Sequence, residues 1–171
     1  MIGGAGRNLP KGLAQSDEGT LGGQVTFNVY WMSSRVMRAA SARQNVLTRK
    51  LDEAKADESV KQKLNEHQIV IQGADLVPFY RHNEKFYQEN SSLETKKSKL
   101  KLSPSSVSYE RTADGGVIVA VVFHFSKKTA AGEPVIGPDE KGVTFSCKLE
   151  GSTMRVNFEP QKMVDKEGPD L

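Results

Sequence analysis

Reactive and metal-binding residues are scarce in this chain. One cysteine among 171 residues, Cys147, excludes an intrachain disulfide framework and leaves the redox compartment open. The three histidines, His67, His82 and His124, stand far from helical i, i+3 or i, i+4 spacing, and no Cys-x-x-Cys clip accompanies them. A metal site would have to be assembled from distant residues, so no metal and no cofactor is expected. No G-x-S-x-G elbow occurs. Gly3-Gly4-Ala5-Gly6 followed by Lys11-Gly12 lacks the G-x-x-x-x-G-K-[ST] spacing that cradles a phosphate. No apolar run approaches the roughly 18 residues of a membrane span.

What is present is an ordinary globular composition: 37% hydrophobic, 26% charged and a formal net charge of +3. It suits one folded domain and excludes a polycationic tail. Residues 1–22 are rich in glycine and polar types without periodicity, and read as a flexible arm. Residues 23–160 carry the periodic pattern of a single domain, and 161–171 are charged and expected to fray. The opening Met1-Ile2-Gly3-Gly4-Ala5-Gly6 has neither the basic nor the apolar region of a secretory leader. Its glycine content favours a mature periplasmic or secreted chain over a cytoplasmic one.

The clearest pattern lies between 105 and 159. Val117, Val119, Val121, Phe123 and Phe125 fall on one face of an extended segment, with Ile118, Ala120 and Val122 on the other. An extended segment apolar on both faces belongs inside a sheet or between layers. Val107 and Tyr109 alternate ahead of it, and Asp114-Gly115 supplies a tight hairpin turn. Val143, Phe145, Cys147 and Leu149 alternate after it. Glu150-Gly151-Ser152 then turns the chain into Met154, Val156 and Phe158. The glycine- and proline-bearing stretch from Lys127 to Lys141 is long enough to link two sheet edges or layers.

The first half reads as a strand through Val29 and Trp31, then a helix capped by Ser33 or Ser34. A short helix from Asp57, a strand at Ile69-Val70-Ile71 and a helix opened by Pro78 follow. The resulting fold class is α+β: a mostly antiparallel sheet, as a sandwich or partly closed barrel, with the N-terminal-half helices packed on one face.

Each reactive candidate has a plainer explanation. Cys147 paired with His124 would be a nucleophile and base, yet the cysteine shares its face with Val143, Phe145 and Leu149, as a small buried hydrophobe does. Asp52-Glu53, Asp57-Glu58 and Asp139-Glu140 read as solvated carboxylates. Asn90-Ser91-Ser92 matches a glycosylation acceptor, a tripeptide common enough to arise by chance.

The segment 79–101 is the one candidate surface. Its binding residues would be Tyr80, Arg81, His82, Lys85, Tyr87, Lys96, Lys97, Lys99 and Lys101. Between 81 and 101 six Lys and Arg meet three Glu, a local excess equal to that of the whole chain. Basic groups neutralise phosphates and aromatic faces stack bases, so nucleic acid is one partner for it. The competing explanation is that the rings pack a helix on the sheet while the lysines keep an exposed strand soluble. It is the stronger, because modest charge runs are usually solvated faces.

Val29, Trp31 and Ser34, then Phe123 and Phe125, then Asp139, Lys141, Val143 and Phe145 form a series that resembles certain uncharacterised exported bacterial proteins. The resemblance implies an extracytoplasmic setting and no activity. Together these observations favour a non-enzymatic binding or structural module, acting on a protein or small ligand through protein contacts or a groove between helices and sheet. A nucleic-acid-binding domain comes second. An enzyme assembled from scattered residues such as Tyr80, His82 and His124 comes third, and requires those three side chains to share a cleft.

Overall fold

A computed structural model describes residues 14–15, 26–48, 50–73 and 76–171. Most of the 1–22 arm, including the glycines at 3–6 and Lys11-Gly12, lies outside the described residues.

Two antiparallel sheets face one another. The first runs β1 (Ala14–Gln15), β2 (Asn28–Trp31), β3 (Glu66–Gln72), β7 (Ile118–Ser126) and β6 (Ser106–Arg111) in spatial order. The second runs β5 (Lys101–Leu102), β4 (Ser91–Thr95), β8 (Val143–Leu149) and β9 (Ser152–Phe158). Neither sheet closes into a barrel, so the fold is an α+β sandwich. Residues 127–142 carry the chain from one sheet to the other, as their length suggests.

Alternation dictates which side chains meet. Val29 and Trp31, Ile69 and Ile71, and Val121, Phe123 and Phe125 all point inward from the first sheet. From the second come Leu93, Val143, Phe145, Cys147, Met154, Val156 and Phe158. Phe123 and Phe145 meet edge to face across the gap at 5.0 Å between ring centroids, the geometry preferred by ring quadrupoles. Each such side chain, once buried, contributes roughly 1.5–3 kcal/mol of transfer free energy.

The face assignment of β7 breaks at its start. Glu110 pairs with Ala120 but Arg111 pairs with Ile118, leaving Val119 as an extra residue. Such a bulge reverses the alternation. Ile118 therefore joins the inter-sheet core, while Val117 and Val119, expected to share a buried face with Val121, are exposed. In the turn Gly115 takes φ 75° but Asp114 does not take a positive φ, and the loop, closed by the Thr112 amide on the Val117 carbonyl, is longer than the tight turn expected.

Helix α1 (Arg35–Leu47) starts where Ser34 Oγ accepts the Met37 amide at 3.1 Å. Helix α2 (Glu53–Lys61) starts at Asp52, five positions before the expected Asp57, because Asp52 accepts the Lys55 amide at 2.9 Å. These two helices pack mainly on each other, burying Ala42 and Ala56, and add no residue to the inter-sheet core. The region after Pro78 is not one helix. A 3-10 turn (Val77–Tyr80) precedes α3 (Glu84–Glu89), whose cap Asn83 accepts the Phe86 amide, and α3 lies on β6. Among the described residues no helix is long and apolar enough to cross a membrane.

Residues 160–171 adopt a defined shape where composition suggests fraying. A 3-10 turn (Pro160–Lys162) leads into a hairpin of β10 (Val164–Asp165) and β11 (Gly168–Pro169). Asp170 is 3% exposed and accepts the amides of Arg35 and Val36, two of the donors that every helix start leaves unpaired. Lys127 Nζ donates to the Leu171 carbonyl at 2.6 Å.

Candidate functional site

The continuous basic and aromatic segment of the sequence divides into two places. Phe79 and Tyr87 are completely buried and belong to the core. The Tyr87 hydroxyl donates to the Pro78 carbonyl at 2.7 Å, and burial pushes its pKa up to about 12. Tyr80 is about half exposed, and its hydroxyl accepts the Ile118 amide. Arg81 pairs with Glu150, and Lys85 reaches Glu89 along α3 at 4.0 Å. His82 stacks on Phe86 with centroids 3.8 Å apart, and its carbonyl accepts the Tyr109 hydroxyl. These rings fasten the 3-10 turn and α3 to the sandwich and present no stack of open faces.

Lys96, Lys97, Lys99 and Lys101 lie beyond the five residues of β4, roughly 15 Å further along the chain path. They occupy the turn from β4 to β5 and the start of β5, where Lys101 sits opposite Glu94. Two acceptors shape that turn. Thr95 Oγ1 accepts the Leu100 amide at 2.9 Å. Glu140, only 3% exposed, accepts the amides of Lys97 at 2.8 Å and Ser98 at 3.3 Å. Glu140 is thus no solvated carboxylate, contrary to the expectation from Asp139-Glu140. Burial raises its pKa, but hydrogen bonds from the amides of Lys97, Ser98, Gly142 and Lys141 outweigh that and leave it below the usual carboxylate value.

Concave surface lies on the outer face of the four-stranded sheet, away from α1 and α2. A trough crosses the outer face of the four-stranded sheet, bounded at one end by Glu89 and Asn90 at the end of α3. Its two parts have volumes of about 680 and 560 Å³ and share Glu94 and Thr144. Register places Ser92, Ser146 and Arg155 in one row, and Lys101, Glu94, Thr144 and Asn157 in the next. Thr144 Oγ1 donates to Asn157 Oδ1 at 2.7 Å. Lys96, Lys99 and Lys141 close the second part. Sequence alternation marks Thr144, Ser146, Arg155 and Asn157 as outward-facing, but only strand order shows that they share a surface with the lysine turn.

The reactive residues do not assemble. Cys147 faces the dry core, and burial pushes its pKa up to about 12. His124 lies on the outer side of the other sheet, with Nδ1 3.1 Å from Glu66 Oε2. It stands six strand residues, roughly 20 Å, from the Ile118 amide that holds Tyr80. Tyr80, His82 and His124 therefore share no cleft. His67 is 4% exposed and packs edge to face on Trp31 at 5.2 Å. Burial, aided by Lys127, lowers its pKa to about 3. Among the described residues, His67 Nδ1 and Trp31 Nε1 are buried without a hydrogen-bond partner. No group of three or more metal-ligating side chains is gathered among the described residues.

Comparison of the chain with protein-family models, with curated proteins and with solved structures finds no match.

Proposed function

We propose that this chain is a non-enzymatic binding module whose working surface is the outer face of the four-stranded sheet. The observation that carries this reading is the pair of adjoining recesses, sharing Glu94 and Thr144, that reach from Asn90 and Ser92 to Lys141 and Asn157. Concave surfaces with convergent polar groups are the usual seats of ligands. Hydroxyl, amide and charged groups project there from strands pinned in register, so a ligand meets positions that are already fixed. The placement of Cys147, His67 and His124 in structural roles supports binding over catalysis. The extracytoplasmic setting rests on the resemblance carried by Val29, Trp31 and Ser34 and their later counterparts. The compartment occupied by a tagged chain checks it.

The test is to fill the trough. A Ser146→Trp variant places an indole in its centre, and Ser108→Trp places one on an exposed position of the other sheet. Both are screened against arrayed peptides, oligosaccharides and oligonucleotides. The reading expects every ligand that Ser108→Trp retains to be lost by Ser146→Trp. Binding that survives in both variants, or turnover of any arrayed compound, would remove it.

A nucleic-acid-binding reading keeps the exposed lysines but loses the rings, because Phe79 and Tyr87 are interior. It requires oligonucleotide affinity that falls steeply with salt.

A further inference from the structure

We infer that the trough takes an acidic polysaccharide, whose acid groups lie between Lys96, Lys99 and Lys141. This rests on the trough being the binding surface and goes further by naming the chemistry of its occupant.

Three observations converge. First, these lysines surround a recess of about 560 Å³, and among the described residues none of them makes a salt bridge. Their neighbour Lys97 is engaged by Asp139 at 3.3 Å. Secondly, the three are held together by groups other than their own ammoniums. Buried Glu140 ties the 97–98 amides to the 139–142 loop, and the Lys96 amide donates to the Gly142 carbonyl at 2.8 Å. Lys99 sits at φ 56°, a left-handed conformation that non-glycine residues adopt at a cost. The like charges cannot relax apart by moving the turn. An anion between them therefore gains attraction from all three ammoniums over a backbone that is already in place, and has only their exposed side chains to order.

Thirdly, the rest of the trough suits a hydroxylated chain. Five cations line it (Lys96, Lys99, Lys101, Lys141 and Arg155) against Glu89, Glu94 and Glu159. Two of those carboxylates already have partners outside it, Glu89 with Lys85 and Glu159 with Lys162. Glu94, opposite Lys101, is left to accept hydroxyl hydrogens, and Ser92, Ser146 and Thr153 can both donate and accept. The one aromatic residue in the lining, Phe158, is 4% exposed and offers no ring face. Bases need such faces to stack on, whereas acidic sugars need cations and hydrogen bonds. Lysines bind as point charges without a required fork geometry, so carboxylate and sulfate are both accepted.

The experiment titrates the full chain at low salt with a heparin oligosaccharide, an oligogalacturonate, neutral dextran and an oligothymidylate of matched charge. Two variants with the same charge change are compared, Lys96→Glu/Lys99→Glu/Lys141→Glu in the trough and Lys50→Glu/Lys61→Glu/Lys63→Glu around α2. Melting curves confirm that both fold. Heparin or oligogalacturonate binding that weakens on the order of tenfold or more in the first variant alone is the expected result. Equal weakening in both variants, tighter binding of the oligothymidylate, or no binding of either acidic glycan overturns the inference. If acidic glycans fail but Ser146→Trp still abolishes another arrayed ligand, the trough remains the binding surface and only its occupant is wrong.

Discussion

Arg35 and Asp165 meet as a fork, with Nε donating to Oδ2 at 2.6 Å and Nη2 to Oδ1 at 2.5 Å. A guanidinium and a carboxylate in this arrangement form one of the stronger side-chain pairs. With Asp170 on the Arg35 and Val36 amides, the fork binds the hairpin of residues 164–169 to the start of α1. Arg35 is the first cause holding the Asp165 carboxyl down at about 2, followed by the Glu167 amide. A carboxyl depressed in the folded state stabilises it above the unfolded value near 4, and that contribution fades as pH falls toward 2. Asp165→Asn should therefore melt below the parent chain at about pH 6. The gap between their melting curves should close on acidification. A gap independent of pH would mean that the fork contributes through shape alone.

His67 gives the opposite kind of group the same direction of pH dependence. It is neutral in the fold, with a pKa near 3, and protonates in the unfolded chain near 6.5. Between those values the unfolded state binds the extra proton, so stability drops as pH falls. From pH 7 to 5 the loss attributable to His67 is about 2 kcal/mol. Urea titrations of the parent chain and His67→Leu should show that the variant lacks this share of the slope. An unchanged slope would show that His67 is protonated within the fold.

The Cys147 thiol should be silent in the native protein. Its pKa rises from an ordinary 9 to about 12, so the thiolate available near pH 8 is about a thousandfold scarcer than in a free thiol. Ellman's reagent should find no thiol in the folded chain and one in denaturant. Prompt reaction of the folded chain would mean that the two sheets part readily.

Lys99→Gly should separate stability from binding. Glycine adopts φ 56° without the Cβ penalty, although it gives up more chain entropy on folding. The net gain is about 0.5–1 kcal/mol, read as a higher urea midpoint. The same variant should hold heparin less tightly. A lower midpoint would show that the Lys99 side chain supports the turn.

Strands β7, β8 and β9 are legible because large apolar residues recur at every second position, a pattern that few other structures produce. Strand β4 is not, because Ser91, Leu93 and Thr95 bury two small polar side chains beside one leucine. Only the strands on both sides of it make it extended. Val117 and Val119 look like core until the bulge opposite Arg111 turns them outward. Glu140 looks like surface until its amide partners, more than forty positions earlier in sequence, are known. The aromatics of 79–87 are visible as rings, but whether a ring packs or binds depends on what covers it. The trough is the extreme case, since its rows come from strands whose order no local pattern encodes.

The 127–142 crossover has a consequence for how the molecule assembles. The hairpins on its two sides, β6–β7 and β8–β9, are local pairs that close over short loops, and they seed different sheets. The ladders that add β3 and β4 to these hairpins close much longer loops. Glu66 must find Ser126 sixty positions away, and Ser91 must find Cys147 across fifty-six. Loop-closure entropy delays such contacts, so refolding should run on the milliseconds-to-seconds scale, with β7 and β8 protected from amide exchange before β3 and β4. Until those two strands dock, each hairpin offers an open backbone edge to its neighbours in solution. Yield on refolding should consequently fall as the protein concentration rises.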